Sequence, residues 1–310
     1  MNKMKKIGMT ALAASLVSVS AQAVDISGGS SLTYNGGNAG VQGNPWSMND
    51  NLTFSWGGEL DNGFTVDMSF LLDNSDGAAS QIFDNRTLAI GMGDMGTLTF
   101  WGQAGSGVVG SFDDRTPNAY EESWFTADSP NQGHSASNMW YYTSALDAVT
   151  LHASYAHGTV DESSTEIGLV FTGIDNIELY AAAGTDNAAA NAVDNTIVGG
   201  KFTMGGATIG IQSNTADSEA ANGEEDFMAW AISYAVSEDM SVSYGSSTLD
   251  YETASTEDQE ASTISASYTM GSMTLAGALN RVDNQGPGAT GAGQTTANND
   301  MFEINLSFAF

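Results

Sequence analysis

Between breaks rich in glycine and aspartate, this chain reads as sixteen short segments, nearly all of which alternate apolar with polar residues. Successive side chains along a strand point to opposite faces, so a two-residue rhythm builds a sheet with one oily and one wettable face. The last segment puts Phe302, Ile304, Leu306, Phe308 and Phe310 on one face and Glu303, Asn305 and Ser307 on the other. The same rhythm groups Met228, Trp230, Ile232, Tyr234 and Val236, then Met240, Val242 and Tyr244, then Ile264, Ala266, Tyr268 and Met270. A helix would scatter these residues around its axis. The pattern is that of an all-β protein, a membrane-spanning antiparallel β-barrel.

Candidate strands lie at about 24–34, 49–60, 64–73, 83–93, 97–104, 139–146, 149–158, 162–173, 176–186, 195–205, 207–217, 225–237, 240–251, 260–271, 273–284 and 299–310. Their connections alternate in length. The short ones are Asp61-Asn62-Gly63, Gly93-Asp94-Met95-Gly96, Asp147-Ala148, Ile174-Asp175, Gly205-Gly206, Glu238-Asp239 and Gly271-Ser272, rich in residues that tolerate positive φ. The long ones run 35–48, 74–82, 105–138, 187–194, 218–224, 252–259 and 285–298, with 159–161 barely long at all. Short turns at one rim, long loops at the other and an even strand count are what a single-chain bacterial barrel requires. About 18 residues per strand with its connection exceed the roughly 9–11 needed to cross a bilayer.

The first 23 residues read as an export signal. Lys3, Lys5 and Lys6 precede an apolar core from Ile7 to Val19, and Ala21-Gln22-Ala23 fits a cleavage site, so residues 24–310 form the barrel domain. Removal of residues 1–23 leaves four cations against 37 acids, a net charge of −33. Such a surface repels nucleic-acid phosphates, so no nucleic-acid partner is expected. The hydrophobic share of 41% is low for a membrane protein, yet a barrel needs only one apolar face per strand. No stretch after the leader approaches the ~18 consecutive apolar residues of a spanning helix. The absence of cysteine suits an exported chain that folds without disulfides.

Loop 105–138 is the longest, and a structureless loop of that length usually has a function. It carries Asp113, Asp114, Arg115, Glu121, Glu122 and Asp128 among Phe112, Tyr120, Trp124 and Phe125. Four aromatics are seldom left exposed on one loop, so the expectation is that they pack it against the inner wall while its carboxylates line the narrowest passage. Strand parity adds Glu59, Asp67, Glu178, Lys201 and Glu303 to the wall of the lumen, whereas Arg86 shares parity with Leu88 and Ile90 and points outward unless a bulge intervenes. Clustered carboxylates in a low-dielectric bore attract cations and repel anions.

The signal, the sixteen-strand pattern, the long third loop and the terminal Phe310 together resemble the general porins of Gram-negative outer membranes, particularly the acidic trimeric porins of alphaproteobacteria. The resemblance implies a homotrimer in the outer membrane among lipid and lipopolysaccharide, a third loop folded into the barrel as a constriction, and Phe310 as the signal read by the barrel assembly machinery. It also implies arginines opposite the acidic loop. Here the basic stock after residue 23 is Arg86, Arg115, Lys201 and Arg281, so that cluster is depleted and a cation-preferring pore for small hydrophilic solutes is expected. The alternatives are a non-conducting adhesin or structural barrel and a barrel-wall enzyme such as a lipase. His152, with inward parity, counts against the lipase.

No cofactor is implied. Gly91-Met92-Gly93-Asp94-Met95-Gly96 matches a dinucleotide fingerprint in letters, but a strand follows rather than a helix. Asp73-Asn74-Ser75-Asp76-Gly77 lacks the alternate ligand spacing and distal Glu of a calcium loop. The external acids Glu219, Glu224, Glu225, Asp226, Glu252, Glu257, Asp258 and Glu260 offer carboxylates to divalent cations such as Ca2+, without a spacing that assigns a site. His134, His152 and His157, spread over a loop and one strand without a close carboxylate-and-serine arrangement or zinc spacing, are read as outward or rim-facing structural residues. Tyr34, Trp46, Trp56, Trp101, Trp140, Tyr141, Tyr155, Trp230, Tyr234 and Tyr244 are assigned to the interfacial girdles. Small residues at Gly28 and Ser30 in the outward series of the first strand suggest close subunit contact.

Overall fold

A computed structural model describes residues 24–37, 43–73, 83–129, 133–158, 163–187, 191–220, 223–252, 257–285 and 299–310. The export signal assigned to residues 1–23 lies outside the described residues. The strands are β1 (Asp25–Gly37), β2 (Trp46–Glu59), β3 (Thr65–Asp73), β4 (Asn85–Gly91), β5 (Thr97–Gln103), β6 (Gly105–Ser106), β7 (Ser135–Ala136), β8 (Met139–Leu146) and β9 (Val149–Ala156). They continue as β10 (Ser164–Ile174), β11 (Ile177–Asp186), β12 (Val193–Met204), β13 (Ala207–Ser218), β14 (Glu224–Ala235), β15 (Met240–Tyr251), β16 (Gln259–Met270), β17 (Met273–Asp283) and β18 (Met301–Ala309). Sixteen of them form a closed antiparallel barrel in which each strand pairs with its sequence neighbour, β5 pairs with β8, and β1 pairs with β18. Closure leaves no ladder without a partner strand, which a sheet in hydrocarbon requires.

The alternation holds at the level of individual side chains. Ile167 and Leu169 are exposed while Glu166, Gly168 and Val170 are buried, and Met228, Trp230 and Ile232 are exposed while Phe227, Ala229 and Ala231 are buried. The exposed apolar set lies on the outer face of the barrel; the opposite set faces its interior. Trp46, Trp140, Tyr155, Trp230, Tyr234 and Tyr244 take the outward positions expected of girdle residues. Trp101 and Tyr141 do not. They sit out of phase with the outward Phe100–Trp140 pair, and Tyr141 instead hydrogen-bonds Ser111 and His152 on the inner face.

Six of the seven tight turns contain a residue in the left-handed region, at Gly63, Gly93, Asp147, Asn176, Gly205 and Gly271, and the turn at Glu238-Asp239 does without one. The turn expected at Ile174-Asp175 falls one residue later, because β10 runs through Ile174 and Asn176 accepts the left-handed conformation. The first external connection is shorter than its sequence range, since β1 continues to Gly37 and β2 begins at Trp46, where the Tyr34 and Trp46 rings meet edge to face at 4.9 Å.

The seam between the two chain ends is closed by Phe310, whose N–H donates to the Gly28 carbonyl at 2.9 Å while the Gly28 N–H donates to its carbonyl at 2.7 Å. A Cβ at Gly28 would meet the Asn51 carbonyl, Leu52 and the Phe310 ring, and one at Gly36 would meet the Phe302 ring. At Gly28 and Gly36 the lack of a side chain makes room for the chain's own Phe310 and Phe302 rings. Gly28→Val is expected to cost about 1–3 kcal/mol through overpacking at this seam, seen as a lower temperature for loss of the compact barrel band on cold-loaded denaturing gels.

Candidate pore constriction

The loop from residue 105 to 138 is not structureless. Its two legs pair as the short ladder β6–β7, extended by the Gly107 N–H donating to the His134 carbonyl at 2.9 Å. From this neck the loop runs along the inner wall strand by strand. Val108, Val109 and Phe112, all fully buried, pack with Val170, Tyr180, Ala182 and Ile197. The N–H of Ala119 donates to Ser243 at 2.9 Å and that of Tyr120 to Ser265 at 3.2 Å. The Tyr120 hydroxyl donates to Glu303 on β18. Trp124 stands perpendicular to Phe227 at 4.9 Å, Asn280 donates to the Ser123 carbonyl at 2.8 Å, and Gln259 bonds both the N–H and the carbonyl of Asp128.

The wall is shaped to receive it. A Cβ at Gly168 would enter Val108 and Phe112, and one at Gly210 would enter Pro117. Gly245, in ordinary contact with Ser123, and the buried Ala182, Ala229 and Ala231 continue this low-relief surface. The inward positions of β10–β17 are largely buried under the loop, whereas those of β1–β5 remain open, so the free bore lies between the loop and the β1–β5 wall.

Among the residues expected at the site, Arg115, Glu178 and Lys201 come together. The Arg115 Nη2 is 2.9 Å and the Lys201 Nζ 3.0 Å from the same Glu178 oxygen. The Arg115 guanidinium lies between the Phe112 and Tyr180 rings, 4.9 Å from each centroid. Its position is further set by Gln212, which accepts the Arg115 N–H at 3.4 Å and the Tyr180 hydroxyl at 2.8 Å and donates to the Asp113 carbonyl. Asp114, Arg115, Asn118, Glu178, Lys201 and Thr203 line an open cavity of about 960 Å³ on the turn side of the loop.

Glu121, Glu122, Asp114 and Glu303 form the acidic part. Burial, then the charges of Glu122, Glu303 and Asp114, push Glu121 up to about 7, against the hydrogen bond from Tyr120. Burial followed by Asp114 raises Glu122, and burial raises Asp114. Asp113, expected beside them, is buried, 8% exposed, and its carbonyl accepts from Gln212. Asp128 is tied to the wall, its carboxylate 3.3 Å from the Tyr251 hydroxyl. Glu59 and Asp67 lie with Asp25 in a separate recess of about 490 Å³ along β1–β4.

Arg86 remains outward: the register shift beside it adds its extra residue to β5, at Gly102, whose carbonyl accepts from Arg86 at 3.4 Å. Arg281 shares the outward face with Leu279 and pairs with Asp283. The three histidines divide. His157 meets Tyr155 and Ser163 at the external end of the outer face, and His152 faces inward against Phe112 and Tyr141. His134, expected outward or at the rim and without a close carboxylate-and-serine arrangement, is buried at the loop neck with its Nδ1 2.7 Å from Asp186, which also accepts from Ser164. The sequence separation of these partners hid the cluster. Gln212, Gln259, Asn280, Ser243 and Ser265 were also missed as loop anchors; their shared inward parity on β13–β17 was the signal available.

A family model for Gram-negative porins matches residues 8–289. The chain is a Gram-negative porin. It forms a channel in the outer membrane. The porin's fold matches that of OmpT, an outer membrane protein of Vibrio cholerae also solved in a trimer form, with a TM-score of 0.71 and 14% identity over 93% of this chain and 97% of that one. The anion-selective porin from Comamonas acidovorans gives a TM-score of 0.71 and 14% identity over 93% and 99% of the two chains. A mutant Rh. blastica porin gives 0.64 and 17% over 93% and 100%. No curated protein matches the porin in sequence.

Proposed function

We propose that this porin is a passive, non-enzymatic conduit for small hydrophilic solutes with a preference for cations, working as a homotrimer without a resident cofactor. The observation that carries the cation preference is the disposition of charge. Among the described residues the inward positions of β1–β5 hold no lysine or arginine, and the two inward cations, Arg115 and Lys201, share Glu178. The acids Glu121, Glu122 and Glu303 have no such cationic partner in the contacts described. A carboxylate cluster facing an uncharged or acidic wall lowers the energy of a cation in the bore and raises that of an anion. The fold does not decide the sign, because the same architecture serves the anion-selective Comamonas porin.

The trimer form of the Vibrio protein supports the same assembly here, and the exposed apolar belt is suited to outer-membrane lipid and lipopolysaccharide. The exposed terminal Phe310 ring is the element offered to the assembly machinery. Planar-bilayer recording in a salt gradient tests the reading: discrete conductance steps and a zero-current potential of cation-selective sign are expected, and absence of steps or the opposite sign would overturn it. Glu178→Gln removes the charge that Arg115 and Lys201 share and leaves both cations uncompensated. It is expected to lower the cation-to-anion permeability ratio by about twofold to fivefold at low salt.

A further inference from the structure

The neck of the loop converges on one carboxylate that the conduction reading does not use. Glu166 on β10 is an inward residue, 5% exposed. Its Oε2 accepts the Val109 N–H at 2.9 Å and the Ser154 hydroxyl at 3.1 Å, and its Oε1 accepts the His134 N–H at 2.7 Å. Ser154 in turn accepts the Val108 N–H at 3.1 Å, so its proton is directed to Glu166. Val108 and Val109 belong to the outgoing leg of the loop and His134 to the returning leg. One side chain thus holds both.

The surroundings are built around that side chain. A Cβ at Gly107, on the outgoing leg, or at Gly133, on the returning leg, would run into its carboxyl oxygens, and one at Gly184 on β11 would run into its stem. Gly133 has a φ of +68°, a backbone that disfavours any replacement. The Val109 and His134 N–H groups and the Ser154 hydroxyl all face the carboxylate as donors, and a carboxylate presents acceptors at both oxygens. A donor left facing another donor in this buried neck would lose its partner.

We propose that Glu166 is the positioning residue of the pore, a latch that fixes both legs of the loop to the wall and so sets where the acidic cluster stands in the bore. The consequence for conduction rests on the reading of that loop as the constriction; the latch itself does not. The chemistry makes the consequence leg-specific. In Glu166→Gln the amide oxygen serves Val109 and Ser154, where two donors converge, and the amide nitrogen is left against the His134 N–H. In Ser154→Ala the Val108 N–H loses its acceptor and the returning leg keeps its bond.

Hydrogen exchange followed by mass spectrometry on the full porin in detergent micelles, with bilayer recording of the same preparations, tests this. Glu166→Gln is expected to speed exchange about tenfold or more around His134, leaving the barrel strands protected and adding current fluctuations. Ser154→Ala is expected to speed exchange around Val108 and Val109. Unchanged exchange in both legs, or equal loosening of legs and strands, would overturn the latch. Loosened legs with an unaltered current would uphold the latch and count against the loop as constriction. Should Glu166→Gln fail to fold, the leg-selective response of Ser154→Ala decides the matter.

Discussion

Lowering the pH from 8 to 6 is expected to weaken the cation preference of this porin, with a midpoint near 7. Glu121 is the reason: burial and three neighbouring carboxylates push its carboxyl up to about 7. Above that value Glu121 is charged and attracts cations; as the pH falls through it, a proton binds and that attraction is lost. Glu122 and Asp114 are also raised, and so extend the loss toward acid. Two unit charges about 8 Å from a permeating ion in a water-like dielectric contribute about 1 kcal/mol together, of opposite sign for cation and anion, and screening at about 0.1 M salt leaves about 1 kcal/mol between the two ions. Glu121→Gln with Glu122→Gln is therefore expected to reduce the cation-to-anion permeability ratio at pH 8 about fivefold and to flatten its pH dependence. The zero-current potential in a salt gradient measures both. A double variant with the potential and pH profile of the original would remove the acidic cluster from the selectivity mechanism. Work at low salt gives the larger effect, because at about 1 M the screening length is near 3 Å.

Phe112→Ala is expected to detach the outgoing part of the loop while leaving the barrel closed. The ring is fully buried against Val108, Val109, Val170, Tyr180, Ala182 and Ile197, and it forms one side of the sandwich around Arg115. Truncating a buried phenylalanine costs about 3–5 kcal/mol. Here that cost falls on loop docking, because the sixteen ladders do not depend on the ring. The detached population should rise about a hundredfold or more. Single-channel recording should show larger and less steady steps, with the compact band on cold-loaded gels retained. A steady conductance equal to that of the unmodified porin would contradict the loop's obstruction of the bore.

Much of the barrel was legible because the cause of alternation is local. Met228, Trp230 and Ile232 each carry their own preference for lipid, and two-residue spacing is enough to put them on one face. Tight turns were legible for a similar reason, and the one-residue error at Ile174-Asp175 arose where Asn176 offered an equally good left-handed residue. Trp101 and Tyr141 were misplaced because residue type was weighed over parity. Tyr141 obeys its strand's parity and finds Ser111 and His152 inside.

The site was only partly legible. Length, acids and aromatics marked the loop, and parity marked Glu178, Lys201 and Glu303. Nothing in the vicinity of Glu166 announces its task, since its partners Val109 and His134 lie 57 and 32 positions away and offer only backbone amides. Asp113 and Asp114 are adjacent in sequence, yet the first is buried and the second lines the cavity.

By itself, then, the sequence determined an antiparallel barrel of sixteen strands with an oily exterior and an acidic interior, because side-chain direction in a strand follows from position alone. Only the tertiary structure decided which acids reach the bore, which cations are paired and where Glu121 titrates. Those properties depend on burial and on charges contributed by distant strands, and the barrel must close around the loop before they exist.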